Sequence, residues 1–281
     1  MQPRQASAPW IIAHRGDSAE IAEHTLAAYE AAIIGGADGL ECDVRMTKDG
    51  YLVCVHDRRI ERTSNGTGVV SDFALAELKR LDFSSWKHDW PDSADELIAE
   101  DGYLEGVKPE RVSPEGSVLT LDALLGLAAD AGRPVRMTIE TKHPTRYAGL
   151  VEKELVRTLR RFGHGRGKPP EEQLVAVMSF ASTALRRVRL LAPNLPTVYL
   201  QKKPPIDPPP TGTRIVGPSL KLLRLDPDVV ARAHEAGDQV YVWTVDQPAD
   251  IELALDLGVD AIITNRSKDV LRARGLRYPI I

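Results

Sequence analysis

Residues 10–44 read WIIAHRGDSAEIAEHTLAAYEAAIIGGADGLECDV and hold one complete strand–helix–strand unit. The runs at 10–13 and 39–44 are short and apolar and suit buried strands, and the stretch between them, at 24–34, has the amphipathic pattern of a helix. Gly35 follows this helix at the position where a left-handed residue ends a helix at least cost. The unit therefore predicts two parallel strands joined by a helical crossover.

The same alternation of apolar runs and helical stretches continues along the chain. A length of 281 residues suits one α/β barrel, for which about 250 residues are typical. The run at 214–217 is the weakest strand candidate, because it is short and lies between the proline-rich stretch 202–210 and Pro218. We expect a loop or a short extra strand there, which leaves an α/β fold of the (β/α)8 TIM-barrel type. The nine candidate strands are 10–13, 39–44, 52–55, 135–140, 174–178, 197–200, 214–217, 240–245 and 261–264.

Two connections depart from this rhythm. Residues 45–51, with a turn at Lys48-Asp49-Gly50, are too few for a helix. The chain either descends outside the sheet in extended form or turns back as a hairpin, and the sequence does not choose between them. Residues 57–119 are too many for a plain loop. We predict a single domain over 1–281 with an insertion at about 58–118 after the third strand, forming a small lid over one end of the barrel.

The charge composition limits the possible partners. Lysine and arginine number 36, aspartate and glutamate 40, and the net charge is −4. No global positive field would draw such a chain to nucleic acid or to an anionic membrane. A local site for one small phosphate is still possible, because it needs only one or two cations. The expected partner is therefore a small molecule.

The cysteines and the amino terminus bear on location. Cys42 and Cys54 lie in apolar runs at a spacing that fits neither a paired metal or redox motif nor a disulfide framework, so we expect buried free thiols. Residues 1–9 lack the apolar core of a signal peptide, and no apolar run reaches the length of a membrane span. We expect a cytoplasmic protein without stable membrane insertion.

Acidic residues at two strand ends suggest a cation site. Glu41 and Asp43 project from one face of their strand while Cys42 points away, and burying both without a cation is strongly unfavourable. Glu140 and Lys142 share a face at the end of the next long strand. Three carboxylates favour Mg²⁺ or Ca²⁺ over Zn²⁺. The alternative is a salt-bridge cluster in which Lys142 neutralises the acids.

Histidines and an arginine at strand ends suggest chemistry on a phosphate. His14 follows the first strand and His56 the third, and histidines at a barrel mouth can act as general acid and base. The guanidinium of Arg15 matches two phosphate oxygens, and Lys142 adds a second positive charge. Gly16 permits a tight turn or a close approach of the backbone to a ligand. The aromatic residues at later strand ends, Trp243 and Phe180, are candidates to line the substrate pocket.

Nine short motifs follow one another along the chain. They are Ile12-Ala13-His14-Arg15-Gly16, Glu23-His24-Thr25-Leu26, Glu41-Cys42-Asp43-Val44, Thr47-Lys48-Asp49-Gly50, His56-Asp57, Thr63-Ser64-Asn65-Gly66-Thr67-Gly68, Ile139-Glu140-Thr141-Lys142, Val242-Trp243-Thr244-Val245 and Ile262-Ile263-Thr264-Asn265. This ordered set resembles the successive signatures of the glycerophosphodiester phosphodiesterase family. A single tripeptide would be weak evidence, whereas the ordered set covers nearly the whole chain.

The resemblance implies a TIM-type barrel with an insertion after the third strand and one divalent metal ion, Mg²⁺ or Ca²⁺, at the carboxyl ends of the strands. The implied roles are metal ligation for Glu41, Asp43 and Glu140, catalysis for His14 and His56, and phosphate binding for Arg15 and Lys142.

Two positions depart from the family pattern. His24 stands where the family generally has asparagine, and Asn265 stands where aspartate is common. His24 would alter the hydrogen bonds that hold the loop after Gly16, which bears on substrate preference or rate more than on the class of reaction. The stretch Glu23-His24-Thr25 is also typical of a helix start.

The leading hypothesis is metal-dependent cleavage of a glycerophosphodiester to sn-glycerol 3-phosphate and an alcohol. One histidine would remove a proton from the attacking oxygen, and the other would protonate the leaving alkoxide. The attacking group is water or the glycerol 2-hydroxyl of the substrate, which would give a cyclic phosphate. The sequence separates neither these routes nor the roles of the two histidines.

Two alternatives stay open. A lysophospholipase D-type reaction would use the same chemistry on a lipid, and comparing a water-soluble diester with its lysolipid analogue would discriminate it. A non-catalytic barrel that binds a phosphorylated ligand is permitted by the fold. Metal binding without turnover would favour that second alternative.

Overall fold

The computed structural model describes residues 8–88, 116–147 and 149–278. The strands are β1 (Trp10–His14), β2 (Gly39–Met46), β3 (Leu52–Cys54), β4 (Arg136–Thr141), β5 (Val175–Ser179), β6 (Thr197–Gln201), β7 (Ile215–Pro218), β8 (Gln239–Val242) and β9 (Ala261–Thr264). The helices are α1 (Leu26–Ile34), α2 (Leu75–Leu78), α3 (Leu121–Ala129), α4 (Leu150–Arg161), α5 (Ser182–Leu191), α6 (Leu220–Leu225), α7 (Val229–Glu235), α8 (Pro248–Leu257) and α9 (Ser267–Arg277).

Eight parallel strands close into a ring in the order β1, β2, β4, β5, β6, β7, β8, β9, because β1 pairs with both β2 and β9. Helices connect most successive strands and pack around the outside. This arrangement confirms the predicted TIM barrel. None of the helices among the described residues combines the length and apolar character needed to cross a bilayer.

The prediction of a loop or extra strand at 214–217 is wrong, because β7 is one of the eight ring strands. It pairs with β6 on one side and β8 on the other, and all four of its residues are buried. Closure of the ring decides this element more than local strand preference does. A gap between β6 and β8 would leave two rows of main-chain polar groups unpaired.

The surplus strand is β3, which lies outside the ring and pairs antiparallel with the carboxyl end of β2. Residues 45–51 thus form the hairpin that the sequence left open. Gly50 has a φ of 90° in the turn, and the Thr47 main-chain N–H donates to the Tyr51 carbonyl at 2.9 Å. Because β3 runs back towards the barrel mouth, it carries His56 to the level of Asp43.

Side chains alternate between the inside and the outside of the ring. Ile12, Met178 and Val198 belong to the apolar cluster inside it, whereas Cys42 packs outside among the helices. Cys42 and Cys54 are free and buried, as predicted. Apolar side chains thus fill the barrel interior, and the charged residues come later on the same strands, at the mouth.

Part of the predicted insertion packs against the hairpin. Ile60, Val70 and Phe83 form a small apolar cluster with Val53 of β3. Residues 89–115, which are 27 of the 61 residues of the predicted insertion, lie outside the described residues. The insertion boundaries and the single-domain organisation stay predictions.

Candidate active site

The register of three neighbouring strands brings the predicted acids and one histidine together. His14 pairs with Glu41 between β1 and β2, and Asp43 pairs with Glu140 between β2 and β4. Because side chains alternate along each strand, these positions share the inner face of the ring. The carboxylates of Glu41, Asp43 and Glu140 offer oxygens within 4.8 Å of one another.

Two cations pair with this acidic cluster. Lys142 Nζ lies 2.9 Å from both Asp43 Oδ1 and Glu140 Oε1. Arg15 Nε lies 3.0 Å from Asp43 Oδ2, and the Arg15 main-chain N–H donates to Glu41 Oε2 at 3.2 Å. Lys142 therefore forms the salt bridges of the alternative interpretation. Whether the cluster also suits a metal ion depends on how far the two cations neutralise its three carboxylates.

Arg15 and Lys142 leave the acidic cluster incompletely neutralised. Burial would raise the pKa of Asp43, but Lys142 and Arg15 outweigh it and hold that pKa well below its usual value. Burial and the Asp43 carboxylate raise the pKa of Glu41 well above its usual value. Burial also raises the pKa of Glu140 to about 7, although Lys142 opposes it. A further positive charge would stabilise both ionised glutamates, so the oxygen-only donor set fits a hard divalent cation.

A tight turn at Arg15 and Gly16 directs the phosphate-binding candidate into the site. Arg15 has a φ of 58° and Gly16 a φ of 92°. A Cβ on Gly16 would lie 2.7 Å from the carbonyl carbon and the Cβ of Ala28 in α1. Gly16 therefore makes the tight turn considered from the sequence and packs closely against α1, whereas the approach of the backbone to a ligand stays a prediction.

We expect Gly16→Ala to lower the free energy of unfolding by about 3 kcal/mol, because it adds a clash with Ala28 to the strain of a positive φ. Gly50→Ala is the matched control, since Gly50 has a φ of 90° and no atom within 4 Å of an added Cβ. That control should cost about 1 kcal/mol. Denaturant titration measures both losses, and equal losses would contradict the role given to the helix contact.

His14 is oriented by two residues that follow the last ring strands. Asp246 accepts hydrogen bonds from the main-chain N–H and from Nδ2 of Asn265, at 2.8 Å each. Asn265 Oδ1 therefore faces His14 and accepts from its Nδ1 at 2.7 Å. With the proton held on Nδ1, Nε2 is the nitrogen that can exchange a proton, and it lies 3.9 Å from Glu41 Oε2.

His56 is oriented in the same way by its neighbour in the chain. Its Nδ1 donates to Asp57 Oδ1 at 2.7 Å, and Arg62 Nε donates to Asp57 Oδ2 at 2.6 Å. Burial, Arg15 and Lys142 lower the pKa of His56 to about 4. The ring is therefore neutral at pH 7, and with Nδ1 bonded to Asp57, its Nε2 can accept a proton.

Glu23 is a site residue whose role the sequence did not indicate beyond a helix start. It accepts from Arg15 Nη1 at 3.1 Å and from Arg62 Nη1 and Nη2 at 2.9 and 2.7 Å. Burial would raise the pKa of Glu23, but Arg62 and Arg15 hold it well below its usual value. Glu23 thus restrains the guanidinium of Arg15. Thr25 does begin α1, accepting from the Ala28 N–H at 3.2 Å.

His24 contacts the acidic cluster directly. It has a φ of 59°, which histidine and asparagine tolerate better than most residues. Its Nε2 lies 3.0 Å from Asp43 Oδ2, and its Nδ1 lies 2.8 Å from the Tyr29 hydroxyl, which donates to the Glu41 carbonyl at 3.0 Å. This departure from the family pattern therefore reaches a candidate metal ligand as well as the loop after Gly16.

A cavity of about 990 Å³ opens at the carboxyl ends of the ring strands. Trp243 and Phe180 line it, as expected from the sequence, and their rings meet edge to face at 5.4 Å. Trp243 Nε1 also donates to the Gly217 carbonyl at 2.8 Å. Glu140 lines the cavity, and Glu41 and Asp43 offer oxygens within 4.8 Å of it. The structure thus brings every predicted site residue to one end of the barrel.

Comparison with known proteins agrees with this architecture. The family model of the glycerophosphoryl diester phosphodiesterase family matches residues 14–269. The chain is 44% identical over 264 residues to the probable glycerophosphodiester phosphodiesterase 1 of Mycobacterium tuberculosis, with 92% of this chain and 90% of the relative covered. It is 34% identical over 262 residues to the glycerophosphodiester phosphodiesterase of Bacillus subtilis, with 90% and 82% covered. The chain belongs to the glycerophosphoryl diester phosphodiesterase family.

Solved structures share the fold. A putative glycerophosphoryl diester phosphodiesterase from Silicibacter pomeroyi matches with a TM-score of 0.75 and 25% identity, over 96% of this chain and 95% of the other. A phosphodiesterase from Oleispira antarctica, solved in complex with the product sn-glycerol-3-phosphate, matches with a TM-score of 0.74 and 23% identity, over 95% and 96%. The resemblance inferred from the ordered motifs is confirmed.

Proposed function

We propose that this chain hydrolyses glycerophosphodiesters to sn-glycerol 3-phosphate and an alcohol. The observation that carries the proposal is a pair of histidines, each with Nδ1 anchored, at a mouth that also holds three carboxylates, Arg15 and Lys142. The names of the two bacterial relatives support the substrate class. The product bound to the Oleispira antarctica enzyme supports the same reaction.

The acidic cluster would hold one divalent ion, Mg²⁺ or Ca²⁺. Glu41, Asp43 and Glu140 are the proposed ligands, because their oxygens converge and two of them have raised pKa values that a cation would lower. When bound, the ion supplies positive charge that stabilises the negative charge developing at phosphorus. It would add to the charge of Arg15 and Lys142, which contact the phosphate in this proposal.

The histidines would move the protons. In the reaction a new phosphorus–oxygen bond forms to water or to the glycerol 2-hydroxyl, and the bond to the alcohol oxygen breaks. In the second route the product is a cyclic phosphate, which water then opens at the bond to the 2-oxygen to give sn-glycerol 3-phosphate. His56 is neutral at pH 7, which suits Nε2 for taking the proton of the attacking oxygen. His14 would then protonate the leaving alkoxide through its own Nε2. Trp243 would contact the substrate from across the cavity.

The test is release of sn-glycerol 3-phosphate from glycerophosphocholine and glycerophosphoethanolamine, with Mg²⁺ or Ca²⁺ and with excess chelator. We expect turnover that requires a metal ion and is largely lost in Glu41→Ala. Glu30→Ala, at an exposed position of α1, is the matched control and should retain turnover. Turnover unchanged by chelator would contradict the metal, and turnover of a lysolipid alone would contradict the substrate class. The cytoplasmic location and the single-domain organisation stay predictions.

A further inference from the structure

The barrel mouth has two halves of different composition. The proposed reacting groups stand at the ends of β1, β2 and β4 and at the end of the β3 hairpin. In the ring, β7 lies directly across from β2, with three strands between them on each side. The cavity extends to this opposite half, where Lys202 follows β6 and Lys221 lies at the start of α6, just after β7.

The cavity is strongly basic although the chain is acidic overall. Ten residues that line it are lysine or arginine and four are aspartate or glutamate, against a net charge of −4 for the whole chain. Counting Glu41 and Asp43 as well, the cations still outnumber the acids. A concave surface lined by one sign of charge concentrates ligands of the opposite sign.

Lys202 and Lys221 differ from the cations that lie at the acidic cluster. Arg15, Arg62 and Lys142 all pair with acids of the site. Within the part of the chain that the structure describes, no carboxylate lies within ion-pair distance of Lys202 or Lys221, and both are exposed. Their charges are therefore available to a ligand in the cavity.

The position of Lys202 also disfavours a cationic ligand. Its Nζ lies 5.6 Å from the centre of the Phe180 ring. The ammonium group of Lys202 thus occupies the ring face to which the quaternary ammonium of a choline head group would otherwise bind. A quaternary ammonium in this half of the mouth would meet a like charge. An anionic group would have both cations on the same side of the mouth, because Lys202 and Lys221 follow the neighbouring strands β6 and β7, which pair at Gln201 and Pro218.

On the basis of the proposed function, we propose that Lys202 and Lys221 form a second anion subsite that selects glycerophosphodiesters whose alcohol half carries a further phosphate or carboxylate. The scissile phosphate would lie at the acidic cluster with Arg15 and Lys142. The glycerol half bears no charge of its own, so the added anion belongs to the alcohol half. The cavity volume lies at the upper end of the range for ligand sites, which leaves room for such an extended substrate.

The test compares two substrates that differ by one group, glycerophosphoglycerol and the same molecule with a terminal phosphate on the second glycerol. We expect a higher kcat/KM for the phosphorylated substrate at low salt, through a lower KM. The preference should shrink between about 0.05 and 0.5 M salt, because exposed charges are screened over that range. In the double variant Lys202→Gln/Lys221→Gln, the ratio of the two kcat/KM values should fall about tenfold, which corresponds to two exposed charge contacts.

Lys203→Gln is the matched control, since Lys203 is the exposed neighbour of Lys202 and does not line the cavity. It should keep the wild-type ratio. Equal kcat/KM values for the two substrates in the wild type, or a preference that survives in the double variant, would overturn the subsite while leaving the proposed function intact. No turnover of either substrate would overturn the proposed function and the subsite with it.

Discussion

His14→Ala and His56→Ala are each expected to lower kcat for a glycerophosphodiester by about 10²- to 10⁴-fold, the usual contribution of a positioned acid or base. Each ring has its Nδ1 held, by Asn265 in one case and by Asp57 in the other, at 2.7 Å. Only Nε2 of each ring is then available for proton transfer. Steady-state assays with saturating substrate and metal measure the loss.

Folding and metal binding should survive in both histidine variants, because neither ring is a proposed metal ligand. Thermal unfolding with and without Mg²⁺ or Ca²⁺ checks this. His164→Ala is a suitable control, since His164 lies outside the cavity. Normal turnover in a folded His14→Ala protein would disprove the two-histidine mechanism.

Lys142→Met is expected to lower the free energy of unfolding of the metal-free protein by about 3 kcal/mol, the low end for removing one partner of a buried ion pair. It leaves Asp43 and Glu140 without the ammonium group that lies 2.9 Å from both. Denaturant titration in excess chelator measures the loss. Lys153→Met, at an exposed position of α4, is the control and should change stability little.

The deficit of Lys142→Met should be larger at pH 8 than at pH 6. When folding raises the pKa of a carboxyl group, the free energy of unfolding falls as the pH rises from the pKa of the unfolded state to the pKa of the folded state. For Glu140 that interval already extends to about pH 7 with Lys142 present, and removing the ammonium group extends it further. Saturating Mg²⁺ or Ca²⁺ should recover much of the lost stability, because binding to the folded state stabilises it by mass action. A deficit independent of both pH and metal would contradict the charge argument.

The strand assignments show what local pattern can and cannot predict. Buried runs such as 39–44 identified their strands, because a parallel barrel strand is covered on both faces and is apolar nearly throughout. The same rule did not distinguish β3, which lies outside the ring, from the ring strands, and it favoured a loop or an extra strand at β7, which lies in the ring. Ring closure is a property of the whole chain, and no short window contains it.

The site residues divide in a similar way. The candidate ligands and histidines were predictable, because charged groups at the ends of apolar runs need a partner. Asp57, which orients His56, is its neighbour in the chain. The other positioning contacts were not predictable, since Asn265 lies 251 positions from His14, and Arg62 lies 39 positions from Glu23, which restrains Arg15. Such pairs carry no periodic signal, and only the fold brings them together.

The departure at Asn265 has a physical reason in its neighbour. Asn265 Nδ2 donates to Asp246 Oδ2 at 2.8 Å. An aspartate at 265, which is common in the family pattern, would place two carboxylates at that separation. With Asp246 in place, an amide at 265 both avoids this repulsion and presents an oxygen to His14.

The β2–β3 hairpin concentrates the chemistry in a short length of chain. Two proposed metal ligands and one proposed catalytic histidine lie between residues 41 and 56, and the fold adds only neighbouring strands β1 and β4 to complete the set. The loops after β5, β6 and β7 contribute none of these groups, whereas the loop after β8 holds Asp246, which orients Asn265 beside His14. Directed evolution confined to the three loops after β5, β6 and β7 should therefore alter which alcohol is released while leaving the reacting centre intact, so this barrel is a natural scaffold for building phosphodiesterases of new selectivity.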